Sequence, residues 1–225
     1  MLNVEVLRAA NQWWIERQSK GAHHFILRIM PFLFEVIESL YLGTRKLPLH
    51  SVSVVTHKQV AGDYEINFGI FLELNEYSTL RVILSLMGDI YNLLTPLIKS
   101  DPATLMELSS PVQQIYSCAD KFREVRNCFT HLDEVLTNMD KHGITGAAKT
   151  NCGIEYTSSA KGCVHLIWQN NVIHFTYKGK VEEITVDKST FDPVFQFAKQ
   201  IYSELISHKN AETINYTPVE KLFPA

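Results

Sequence analysis

The chain has 225 residues, of which 46% are hydrophobic and 20% charged, and its formal charge is -3. That composition excludes a disordered chain and suffices for one substantial core, or a main domain with an appendage. It also excludes a global basic field, so any contact with nucleic acid has to come from a local patch. In chain order, Val4 to Gln18 carries apolar residues at helical spacing, with Trp13 and Trp14 in the middle as core or interface aromatics. A break at Gly21 precedes a second helical pattern, His23 to Gly43, which Pro31 is expected to kink or restart. Residues 44–62 read as a long connection, with SVSVV as a short strand, and INFGIFLEL alternates like a strand. A helix follows over about Glu76 to Ile98, and Asp101 and Pro102 have the residue types of an N-cap and first helical position.

From there to Lys141 the spacing predicts one long helix or two, with a break invited at Ser109-Ser110-Pro111. Ile115, Cys118, Phe122, Val125, Phe129, Leu132, Leu136 and Met139 recur at steps of three and four, as a buried helix face requires. His142-Gly143 ends the pattern. The small, polar run GITGAAKTNCGIEYTSSAKG then reads as a loop. Three strands follow, separated by turn signals at Gln169-Asn170-Asn171 and Lys178-Gly179-Lys180. Ser189 to Ile206 is a final amphipathic helix, and the tail reads as extended. The expected fold is mainly α: a helical bundle over 1–142, then a C-terminal extension over 143–225 with a small antiparallel sheet and a closing helix.

Glu5 and Glu16 interrupt the start of the chain, where a secretory leader needs a basic end and an unbroken apolar stretch. No run reaches the roughly eighteen apolar residues of a bilayer span. A cytoplasmic chain that engages no membrane is therefore expected. Cys118, Cys128, Cys152 and Cys163 form no CxxC pair, which argues against structural zinc and a redox dithiol. His165 and His174, with Cys152 and Cys163 nearby, lack the spacing of a metal site. His23-His24 with Glu35 and Glu38 read as structural or surface groups. KHGITGAAK lacks the order of a phosphate-binding loop. No metal or other cofactor is expected.

The chemistry concentrates in RNCFTH, Arg126 to His131. Arg123, Asn127, His131 and Glu134 lie four, four and three residues apart and so share a helix face, beside the apolar stripe; Arg126 flanks the stripe on its other side. Histidine exchanges protons near neutral pH, and an arginine fork neutralises phosphate oxygens. The pair therefore suits phosphodiester chemistry, and with RNA the substrate's own 2′-hydroxyl can attack without a metal. The same four residues are also ordinary occupants of a solvated helix face.

The order Arg126, Asn127, three residues, then His131, near the end of a bundle helix, resembles the motif of the HEPN superfamily. The resemblance covers about residues 1–142. It implies an all-helical bundle, often a metal-independent endoribonuclease, whose two motif helices face one another across a dimer cleft. It implies that Arg126 contacts the scissile phosphate, Asn127 orients it or supports the geometry, and His131 acts as general acid or base. Arg123 and Glu134 are further candidates for substrate contact. A homodimer acting on RNA, and a place in a toxin–antitoxin or antiviral defence system with an antitoxin as possible partner, are likewise implied. Some members have lost activity, so a non-catalytic binding or regulatory protein built on the same bundle stands as the alternative.

Overall fold

Buried positions recur at steps of three and four along the first two helices, as an amphipathic helix requires. Helix α1 (Leu2–Arg17) buries Val6, Ala9, Ala10 and Trp13; α2 (His23–Thr44) buries Ile26, Met30, Leu33, Phe34, Ile37 and Leu40. The small side chains of Ala9 and Ala10 suit the close packing of α1 on α2. This computed structural model describes residues 2–17, 23–60, 63–100, 105, 107–131, 134, 138–149, 155–162, 167–208, 211 and 214–224. Asp101 and Pro102, with their expected capping roles, lie outside them. Helix α2 runs through Pro31 without a break; its apolar stripe continues on both sides, so packing outweighs the roughly 3 kcal/mol that an interior proline costs. At Gly43, in the last turn, a Cβ would stand 3.3 Å from Ile83 Cγ1, so glycine admits a close approach there.

The strand readings of SVSVV and INFGIFLEL fall in one hairpin, which takes up most of the expected connection: β1 (Ser51–Val60) pairs antiparallel with β2 (Asp63–Leu72). Helix α3 (Leu74–Ser100) follows, buried along Leu80, Ile83, Leu84, Met87, Ile90, Leu94 and Leu97. By length and composition it could cross a membrane, contrary to the expectation from counting apolar runs, although only 39% of the apolar window is buried. Its buried residues form one stripe, and Arg81 and Asp89 lie exposed away from it. That is the pattern of a helix packed on one side.

The long helix predicted after Ser109 is divided. Helix α4 (Ser109–Asp120) ends where the Phe122 N–H bonds to Ala119 O, and α5 (Arg123–Thr130) follows. A short α6 (Met139–His142) comes next. The small, polar run expected to be a loop contains a second hairpin, β3 (Ile144–Lys149) with β4 (Glu155–Gly162). The predicted three strands are β5 (Ile167–Gln169), β6 (Val172–Tyr177) and β7 (Lys180–Thr185), antiparallel in that order. Positive φ at Asn170 and Asn171, and at Lys178 and Gly179, marks their two tight turns. Helix α7 (Lys188–Leu205) follows, burying Phe191, Val194, Phe195, Ala198, Ile201, Tyr202 and Leu205. The chain is thus mainly α, a helical bundle with a small three-stranded antiparallel sheet and a closing C-terminal helix.

Two compact units divide the chain. The first comprises residues 1–45, 83–123 and 188–225, the second 46–82 and 124–187. This differs from a division at residue 142, because α7 packs with α1, α2 and α4. In the first unit the tail, expected to be extended, includes a 3-10 turn at Val219–Lys221 and is held in place. The Glu5 carboxylate accepts hydrogen bonds from Tyr202 Oη (2.9 Å), Thr217 N (2.9 Å) and Thr217 Oγ1 (3.1 Å).

Burial alone would raise the Glu5 carboxyl, but the bonds from Thr217 and Tyr202 together hold it below its ordinary value of 4.5. The folded chain therefore releases that proton more readily than the unfolded one. The stability contributed by Glu5 is complete above about pH 4.5 and is lost as pH falls through the folded value. Glu5→Gln, which weakens charge-assisted bonds, should cost about 1–2 kcal/mol at pH 7 and less at pH 3. Urea unfolding at the two pH values checks this; an equal cost at both would show that the carboxylate's charge is not what holds the tail.

In the second unit, β6 buries His174, whose Nδ1 lies 3.6 Å from Glu183 Oε1 on β7. Burial lowers the imidazole's affinity for a proton, and the neighbouring Glu183 only partly offsets this. The unfolded chain therefore takes up that proton at higher pH than the folded one, and stability falls as pH drops through about 6.5. His174→Gln should show a smaller fall in urea midpoint than the wild type between pH 7.5 and 5.5. Equal falls would place the proton uptake elsewhere.

Candidate functional site

Helix α5 is anchored by one face. Val125, Cys128 and Phe129 are buried, and the Phe129 ring stacks on Tyr77 at 5.7 Å. Arg126 and Asn127 are half-buried beside that face, and His131 is exposed in the turn that follows. The His131 N–H still bonds to Asn127 O at 2.9 Å, so the helical path carries through and sets the two residues one turn apart. Arg126 Nη1 donates to Asn127 Oδ1 at 3.1 Å. A plain helical wheel separates Arg126 from His131. This bond ties the guanidinium to Asn127, the side chain one turn before His131.

Beyond His131, Glu134 is exposed and bonded to Lys141 Nζ at 2.8 Å. The lysine's hydrogen bond and charge lower the Glu134 carboxyl, with smaller electrostatic contributions from His131 and His142. The same Oε1 lies 3.8 Å from His142 Nε2, a separation too long for a hydrogen bond. His142 is buried, its ring tilted on Tyr177 at 5.0 Å, and its Nδ1 accepts from the Lys178 N–H at 3.4 Å. Lys178 Nζ in turn stands 3.5 Å from Glu124 Oε1.

Of the expected site residues, Arg126 and Asn127 are joined directly, and His131 and Glu134 follow on the same stretch. Arg123 is engaged otherwise, within the first unit: its Nε lies 3.7 Å from Asp120 Oδ1 and its Nη1 3.5 Å from Tyr91 Oη. Sequence reasoning treated His142 only as a helix end and did not single out Lys141 as a site residue. Their partners are Glu134, Tyr177 on β6 and Lys178 in the turn after it, and no local spacing announces such contacts.

Among the described residues, no group of three or more His, Cys, Asp or Glu side chains is arranged to hold a metal ion. Cys118 and Cys128 are thiols, whereas Cys152, Cys163 and His165 lie outside the described residues. Comparison of the chain with protein-family models, curated proteins and solved structures found no match.

Proposed function

We propose that the chain is a metal-independent endoribonuclease of the HEPN type, cytoplasmic and homodimeric, serving in a defence or toxin–antitoxin system. The observation that carries this reading is the Arg126–Asn127 hydrogen bond, with Asn127 one helical turn before the exposed His131. It supports a guanidinium, an amide and an imidazole acting together on one phosphodiester.

In that reaction the 2′-oxygen of one nucleotide attacks the adjacent phosphorus and the bond to the 5′-oxygen of the next nucleotide breaks. The products are a 2′,3′-cyclic phosphate and a 5′-hydroxyl. One proton leaves the attacking 2′-hydroxyl and one reaches the departing oxygen. His131 supplies one of these transfers, and the partner copy's equivalent histidine supplies the other across the dimer cleft. Arg126 balances the charge that grows on the phosphoryl oxygens, and Asn127 holds the guanidinium in place.

Mixed labelled RNAs incubated with the full chain in EDTA test this. Cutting that survives the chelator and disappears in folded His131→Ala and Arg126→Ala chains supports the nuclease. No cutting, or cutting unchanged in both variants, sinks it and leaves the non-catalytic binding protein as the better account.

A further inference from the structure

We infer that Tyr91, Tyr116 and Arg123, in the first unit, form a platform for single-stranded RNA, with the tyrosine rings receiving bases and the guanidinium a phosphate. That the ligand is RNA rests on the ribonuclease reading above. The platform itself rests on separate geometry. Tyr91 on α3 and Tyr116 on α4 are stacked, with centroids 5.0 Å apart and ring planes 21° from parallel, and both are partly exposed. Neither belongs to the buried stripe of its helix, which runs through Ile90 and Leu94 on α3 and Ile115 and Ala119 on α4.

Arg123 extends the pair. Its Cζ lies 5.9 Å from the Tyr91 centroid and its Nη1 3.5 Å from Tyr91 Oη, while its side chain is 48% exposed. Tyr116 and Asp120, four residues apart on α4, share a helix face, and Arg123 opens α5 beside Asp120. Asp120 Oδ1 lies 3.7 Å from Arg123 Nε, so an incoming phosphate has to compete with that carboxylate for the guanidinium. Base stacking on aromatic rings tolerates any base, and a guanidinium beside the rings adds a phosphate contact and a cation–π partner.

The test uses the full chain and a labelled 2′-O-methyl oligonucleotide, read by fluorescence anisotropy. Its blocked 2′-oxygen cannot attack, so binding is measured apart from cleavage. Tyr91→Leu and Tyr116→Leu should each weaken binding about 10-fold, while Tyr91→Phe and Tyr116→Phe, which keep the ring, should stay within about twofold. Arg123→Gln should weaken binding and reduce the salt slope by about one phosphate contact. Absence of wild-type binding, or leucine variants that bind like wild type, would overturn the platform. If a leucine variant loses its helical circular dichroism, the Arg123→Gln slope decides, and an unchanged slope overturns the proposal. Binding that behaves as expected while natural RNA stays uncut would remove the catalytic reading alone.

Discussion

Replacing His131 with alanine should slow RNA cleavage by about 10²–10⁴-fold, the contribution of a positioned general acid or base. The residue is exposed, so the variant should keep the wild-type helical signal and urea midpoint. Arg126→Ala should cost about 10²–10³-fold, as loss of one preorganised donor to a developing oxyanion does. Arg126→Lys should recover little of this. An ammonium is a point charge and cannot bond Asn127 Oδ1 while presenting a planar fork to phosphate. Asn127→Ala should fall between wild type and Arg126→Ala, because it frees the guanidinium without removing it. Initial rates on one defined RNA, with protein in excess, read all four. Equal rates for Asn127→Ala and wild type would show that the Arg126–Asn127 bond does not serve the reaction.

The second large effect concerns the core of the first unit. Trp13→Ala should destabilise the chain by about 3–5 kcal/mol, a large share of the stability typical of a domain. Trp13 is fully buried, its Nε1 donates to Glu204 Oε1 at 2.9 Å, and the Arg17 guanidinium lies 5.4 Å from the indole ring. The alanine chain loses the ring, leaves a cavity and removes a donor that ties α1 to α7. Trp13→Phe keeps most of the apolar volume and should cost only about 1–2 kcal/mol, mainly the bond to a charged carboxylate. Far-UV circular dichroism in urea separates the two. If both substitutions cost the same, the hydrogen bond rather than the packed ring carries the effect.

Several elements are legible in the sequence because their signal is local. The stripes of α1, α2 and α7 repeat at helical steps, and Asn170-Asn171 and Lys178-Gly179 mark the turns of the three-stranded sheet. The hairpins β1–β2 and β3–β4 were less legible. Only SVSVV and INFGIFLEL hinted at the first, and the second lies in a small, polar run with no alternation to read. Their backbones pair across the turn, and pairing leaves no mark in composition when one strand reads ITGAAK.

At the candidate site, the residue types and the order Arg126-Asn127 to His131 are properties of the sequence, as is the apolar stripe that anchors α5. Spacing alone puts Arg126 across that stripe from His131. A side-chain hydrogen bond to its neighbour redirects the guanidinium, because a long flexible arginine follows its acceptor rather than its Cβ. Arg123 shows the converse: spacing groups it with Asn127 and His131, yet Asp120 and the Tyr91 ring engage it. What the sequence determined by itself was periodicity, turn chemistry and the inventory of polar groups, all set within a few residues. Only the tertiary structure decided which of those groups meet, because the partners of Glu5, Arg123 and His142 come from other elements of the chain.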